Sequence, residues 1–149
     1  MADHGAEVIK IEAPGGDHGR HIGIAQAGTT VFFRNVNRGK QSVMLNLKDD
    51  DDRQVFLRLA EQADVIVESS RPGVAARLGI DYATIAARNP GIIYCSISAF
   101  GQDGPLATRP AHDLAVEAMT GVLSTNLGRD GQIAMPATPV ADYLAGLQG

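Results

Sequence analysis

The sequence predicts an α/β fold, a Rossmann-like layer of parallel strands with flanking helices. Short strand-length apolar runs alternate with segments of helical spacing along the 149 residues, joined by short connections of the kind that link neighbouring elements. The strand-length runs are almost continuously apolar, as in parallel sheets covered on both faces. A hydrophobic share of 44% with 20% charged residues suits a chain with a packed interior.

The elements follow in order. Met1 to Gly5 resembles the last turn of a helix, with Gly5 supplying the left-handed cap. Residues 7–12 set Val8, Ile9 and Ile11 among charged neighbours, a strand pattern. Residues 13–41 are rich in glycine and basic side chains, with Pro14-Gly15-Gly16 as a turn. Residues 41–47 predict a second strand. Asp49, Asp50, Asp51 and Asp52 then offer a helix cap and an acidic first turn, which favours the positive helix end. Val55, Phe56, Leu59 and Ala60 supply that helix with an apolar face. Residues 64–68 predict a third strand and residues 82–88 a short helix closed by Pro90-Gly91. Residues 91–98 predict a fourth strand. Residues 140–149 begin a helix-like stretch that stops without a cap. Elements cut at both ends lead to the expectation of a fragment, a single partial domain over residues 1–149. No internal repeat or low-complexity tract interrupts it.

Composition narrows the function. A formal net charge of −4 argues against a general nucleic-acid binder, which carries a basic surplus. The single Cys95 cannot form an internal disulfide and suits a reducing cytoplasm; within an apolar strand it fits packing. No apolar run approaches the roughly 20 residues of a membrane helix, and the amino terminus lacks the pattern of a signal peptide. A soluble cytoplasmic protein with no membrane or nucleic-acid partner is expected.

Common nucleotide signatures are absent. Gly15-Gly16-Asp17-His18-Gly19-Arg20 follows a strand without spelling the dinucleotide fingerprint, and Gly39-Lys40-Gln41 fails the phosphate-loop pattern at its third position. No Gly-x-Ser-x-Gly elbow occurs. His18 and His21 find no third ligand at metal-site spacing, so no metal is expected. Arg34, Arg38 and Lys40, beside Asn35 and Asn37, form a basic cluster next to a strand, where α/β folds bind ligands.

An ordered series of motifs then identifies a family. Gly5-Ala6-Glu7-Val8-Ile9-Lys10-Ile11-Glu12 with Pro14, Gly16-Asp17 and Arg20 resembles the opening motif of the family III CoA-transferases. These include formyl-CoA and carnitine-type transferases and the α-methylacyl-CoA racemases. The resemblance continues through Asn37-Arg38-Gly39-Lys40-Gln41-Ser42, Leu45-Asn46-Leu47 and Ala63-Asp64-Val65-Ile66-Val67-Glu68. Arg71-Pro72-Gly73, Arg77-Leu78-Gly79, Asn89-Pro90 and residues 93–102 with Gly104-Pro105 extend it. Arg109-Pro110-Ala111-His112-Asp113 and Ala141-Asp142-Tyr143-Leu144-Ala145-Gly146 complete it. Each piece is short; their shared order over almost the whole chain is specific.

The resemblance implies a division of roles. Asp142 falls on the family's catalytic aspartate, which in the transferases carries the acyl group and then CoA as a thioester; a carboxylate serves because it is both nucleophile and leaving group. The residues alone would make Asp142 a helix cap. His112, 30 positions earlier, falls where racemases place their second acid/base, so proton exchange by a His112/Asp142 pair is the alternative. Val116 and Thr138 replace polar residues expected of a racemase, which tips the reading to a transferase. Arg71 and Arg77 fall in the segment that meets coenzyme A in relatives, where a guanidinium suits phosphate. Ser69 and Ser70 stand in place of an Asn-Phe pair, and Lys10 in the opening motif is counted with them. Coenzyme A would enter as a thioester substrate, with no tightly bound cofactor and a carboxylic acid as the second substrate. Complete family members form interlocked homodimers. The third expectation is a fragment inactive by itself, because the family's chains have an additional strand and helix upstream and a long stretch after the aspartate.

Overall fold

A computed structural model describes residues 1–148. Contacts divide the chain into two compact units, Met1–Leu59 and Ala60–Gly149.

In the first unit a single 3₁₀ turn, Ala2–His4, ends on Gly5, whose φ of 91° and N–H bond to the Ala2 carbonyl give it the expected cap role. Strand β1 (Val8–Glu12) follows. Residues 13–41 hold more structure than their composition showed. A 3₁₀ turn, His18–His21, is capped by Asp17, which accepts the Gly19 N–H. Strands β2 (Ala25–Gln26) and β3 (Thr29–Thr30) form a hairpin. Its two-residue turn has φ of 51° at Ala27 and 81° at Gly28, both positive as in the turn that matches strand twist. Helix α1 (Val31–Val36) starts at Thr30, whose hydroxyl accepts the Phe33 N–H and donates to the Gly19 carbonyl. Strand β4 (Lys40–Met44) runs parallel to β1, with Val8 opposite Lys40 and Glu12 opposite Met44.

Helix α2 (Asp50–Ala60) has the expected acidic start. Asp49 accepts the N–H groups of Asp51 and Asp52, so it is the capping residue. Leu57 and Ala60 are buried and Phe56 is half-buried. Val55 and Leu59 are half-buried as well, so the predicted face is covered and Leu57 widens it.

In the second unit, strand β5 (Val65–Glu68) pairs in parallel with β6 (Ile93–Ser96), Val65 facing Ile93 and Glu68 facing Ser96. Between them lie two five-residue helices, α3 (Val74–Leu78) and α4 (Tyr82–Ala86). The first was not foreseen: left-handed glycines, Gly73 and Gly79, bracket a segment too short for periodicity to register. Ile85 of α4 is fully buried, with Ile80 and Ile92 nearly so. The Asn89 amide donates to the carbonyls of Ala60 and Ala63 and fixes the turn into β6. Tyr94 donates to the Ile80 carbonyl at 2.8 Å, tying β6 to the segment after α3. Helix α5 (Asp113–Thr120), a 3₁₀ turn and a Leu127–Ile133 bridge lead to helix α6 (Val140–Gln148). Gly149, the last residue of the predicted helical stretch, lies outside the described residues.

The α/β class holds, with parallel pairs and flanking helices. Burial on both strand faces does not: Met44 is 64% and Ile93 63% exposed. Each parallel ladder has only two strands, and the five-residue helices are too short to cover a face. Among the described residues no helix is long and apolar enough to cross a membrane.

Candidate functional site

The charged loop after β1 is a closed network. Glu12, 4% exposed, accepts two bonds from the Arg20 guanidinium, both at 2.8 Å. Ser42 donates to the same carboxylate at 2.7 Å and the Asp17 N–H at 2.9 Å. The Arg20 bonds, helped by Ser42 and Asp17, outweigh burial and hold the Glu12 carboxyl down at about 2. The Arg20 guanidinium also lies 4.0 Å from the Phe33 ring centre, a cation–π contact. Lys10 is engaged by Asp17, whose carboxyl that ammonium holds below its usual range. Burial, then the Lys10 charge, pushes the Lys40 ammonium down.

The basic cluster of residues 34–40 is drawn into similar pairings. Arg38 makes two bonds to Asp3, and Lys40 donates to the Asn37 amide oxygen. The cluster precedes β4 at its amino end, whereas ligands of α/β sheets gather at carboxyl ends. Its suggested role as a strand-end ligand site is not supported by this placement. His18 and His21 share one 3₁₀ turn, and no group of three metal-ligating side chains occurs among the described residues.

The carboxyl ends of β5 and β6 are different. There Ser69, Ser70, Arg71, Pro72, Ser98 and Arg109 line a cleft of about 80 Å³. Its floor is set by the sheet: the Ile97 N–H extends the ladder to the Glu68 carbonyl, and the Glu68 side chain accepts the Ser70 N–H at 2.7 Å. Neither the Arg71 nor the Arg109 guanidinium has a bonding partner among the described residues. Two unpaired guanidiniums and three hydroxyls suit an oxyanion. Three expected coenzyme residues thus converge. Arg77 does not line the cleft; it stands in the last turn of α3, near Gly73. Lys10 belongs to the first unit and its Asp17 pair. Arg109 and Ser98 were not among the expected ligands, although both lie in the motifs that carried the resemblance.

His112 caps the start of α5 with its backbone, is exposed, and borders an open apolar depression of about 540 Å³ with Pro110, Leu114, Ala115, Ala118 and Leu123. Asp142 is the third residue of α6, exposed in its first turn. It is not the cap. Asp113 accepts the N–H groups of Ala141 at 2.7 Å and Asp142 at 3.3 Å, and Glu117 accepts that of Val140. The Asp142 carboxylate itself has no partner among the described residues. The same aspartate that sets α6 therefore follows His112 directly in sequence.

The sequence model of CoA-transferase family III matches residues 1–149. The chain belongs to that family. Among CoA-transferase family III relatives, the chain is 45% identical over 149 residues to the acetyl-CoA:oxalate CoA-transferase of Acetobacter aceti, covering 99% of this chain and 38% of that protein. It is 37% identical to the human succinyl-CoA:glutarate CoA-transferase, covering 99% and 34% respectively. A crystal structure of a Mycobacterium tuberculosis protein superposes with a TM-score of 0.87 at 38% identity, covering 98% of this chain and 41% of that one. A CaiB/BaiF family protein from Brucella suis gives 0.87 at 35%, covering 97% and 39%. The chain thus spans about two fifths or less of the length of these relatives.

Proposed function

We propose that this chain is part of a CoA-transferase that moves CoA from an acyl-CoA to a carboxylic acid, with Asp142 as the carrier. One observation carries the reading: the Asp142 carboxylate stands in the first turn of a helix whose leading N–H groups are already taken by Asp113 and Glu117. A carboxylate in that position keeps its lone pairs for substrate and is favoured by the positive helix end. Relatives named for oxalate and glutarate support a carboxylic acid as acceptor.

The chemistry balances in two halves. An Asp142 oxygen attacks the thioester carbonyl and expels CoA thiolate, leaving a mixed anhydride. The thiolate attacks the aspartyl carbonyl and releases the first acid, giving aspartyl-CoA. The acceptor carboxylate then attacks this thioester, freeing the thiolate and forming a second anhydride. Attack of thiolate on the acceptor's acyl carbon regenerates Asp142 and yields the new thioester. Arg71, with Ser69 and Ser70, is assigned to coenzyme phosphate, and Arg77 to an outer contact. Residues 1–149 form part of one larger domain in a protein that works as an interlocked homodimer; the exposed Tyr143, Leu144 and Leu147 of α6 fit burial against further protein.

The test uses the full-length protein. With acyl-CoA and hydroxylamine, activity should fall as Asp142 becomes a hydroxamate, detected by mass spectrometry of the peptide. An active protein whose Asp142 stays unmodified would end the proposal. Deuterium appearing at the α-carbon of a 2-methylacyl-CoA in heavy water would instead favour the His112/Asp142 racemase.

A further inference from the structure

Helix α6 presents a problem that its own sequence does not solve. The first N–H groups of a helix have no partner within it, and the segment before α6 is Thr138-Pro139, from which no side chain bonds to the helix start. In their place two carboxylates of another helix act. Asp113 and Glu117, four residues apart on α5 and hence on one face, receive the N–H groups of Val140, Ala141 and Asp142. Glu117 is 3% exposed, a buried acid that the transfer chemistry does not use. Asp142 is the only acidic residue in the first turn of α6. Without the clasp, the acid available to those N–H groups within α6 is Asp142 itself, since acids in the first turn fold back onto free N–H groups readily.

We propose that Asp113, backed by Glu117, is a positioning residue for Asp142. By capping α6 from α5 it fixes the first turn and leaves the Asp142 carboxylate free to meet substrate. The inference rests on the proposed role of Asp142 and adds to it a reason why the carboxylate is available. The clasp needs an acceptor oxygen at position 113, where two N–H groups converge on one oxygen of Asp113.

The experiment compares Asp113→Ala and Asp113→Asn in the full-length protein. Displacing a reacting group by about an ångström costs on the order of 10²-fold in rate, so Asp113→Ala should lower kcat by about that factor. The KM for acyl-CoA should stay within about two-fold, because the cleft of Arg71 and Arg109 is untouched. Hydroxylamine capture at Asp142 should slow in step with kcat. Asp113→Asn keeps an acceptor oxygen and should restore most of the loss. Undiminished capture and kcat in Asp113→Ala would overturn the proposal, as would equal damage by both variants or a loss confined to KM. Should Asp113→Ala fail to fold, Asp113→Ser, whose hydroxyl is set back from the helix, makes the same comparison. The wild-type control separates the two levels of inference: no hydroxamate there refutes the carrier role and this proposal with it, whereas normal wild-type capture with an unaffected Asp113→Ala refutes this proposal alone.

Discussion

The loop after β1 and the carboxyl ends of β5 and β6 are both rich in charge, yet they treat it in opposite ways. Around β1, Glu12, Arg20, Asp17, Lys10 and Ser42 satisfy one another. At the ends of β5 and β6, the Arg71 and Arg109 guanidiniums line a cleft, and neither they nor the Asp142 carboxylate in the same unit has a bonding partner among the described residues. A charge whose partners are all in the chain stabilises the fold. A charge left without one faces solvent and is open to a substrate. The contrast makes separable predictions: substitutions in the network should move stability, and those in the second unit should move binding or turnover.

The largest effect is expected from Asp142→Asn. Loss of a covalent nucleophile commonly costs about 10⁴-fold or more in kcat, and the amide cannot form the thioester intermediate. Thermal unfolding should hardly change, because the side chain bonds to nothing described. A variant that keeps more than a tenth of the wild-type kcat, or that loses its fold, would break the comparison at its strongest point.

That prediction also shows what the sequence could and could not convey. The strands themselves, the Asp49 cap and the Gly5 cap were legible because each depends on neighbouring residues. The ordered motifs marked Asp142 and the Ser69-Ser70-Arg71 segment. The hairpin at Ala27-Gly28 was hidden because alanine is an unusual residue for a positive φ. Short α3 was hidden between two glycines. The role of Asp113 was not legible at all, since its partners lie 28 and 29 positions away and nothing local records a cap supplied by another helix. Residues 34–40 misled for the converse reason: their basic pattern was plain, but Asp3 lies 35 positions from Arg38.

The network makes its own prediction through pH. The Glu12 carboxyl falls from 4.5 to about 2 in the folded chain, so the folded state binds fewer protons than the unfolded one in that window. Its contribution is fully present above about pH 4.5 and is lost as pH falls toward 2. At 1.36 kcal/mol per unit, and allowing for an Arg20 side chain that is 36% exposed, about 2–3 kcal/mol should be lost. Urea midpoints measured from pH 7 to 2.5 should fall for the wild type, and less for Glu12→Gln, with the two curves converging at low pH. Parallel curves would show that the network does not set acid stability.

A somewhat smaller effect is expected in the cleft. A charge-assisted bond contributes about 1.5–2 kcal/mol, so Arg71→Ala should weaken CoA binding by about 10- to 30-fold, read by calorimetry on the full-length protein. Arg109→Ala should do the same if its guanidinium shares the anion. Arg71→Lys should recover only part of the loss, because an ammonium lacks the planar fork. Unchanged affinity in Arg71→Ala and Arg109→Ala together would move the coenzyme's phosphates out of this cleft, while leaving the Asp142 chemistry to stand or fall by itself.

The smallest effect lies in the hairpin beside the network and sharpens the contrast from the stabilising side. Ala27 holds a φ of 51°, a conformation that costs a residue with a Cβ about 1 kcal/mol. Replacing it with glycine removes that strain but gives the unfolded chain more freedom to lose. The two terms nearly offset, and a net gain of about 0.5 kcal/mol is expected. Ala27→Asn should gain a similar amount by another route, since asparagine tolerates the left-handed region and keeps its side chain. Both should raise the denaturation midpoint of the first unit slightly and leave CoA affinity and Asp142 capture unchanged. If Ala27→Gly were neutral and Ala27→Asn stabilising, the turn strain would be real and the cost of ordering glycine would cancel its relief. If either altered kcat, the network's loop would be part of the catalytic apparatus, and the separation of stabilising from substrate-facing charge would fail there.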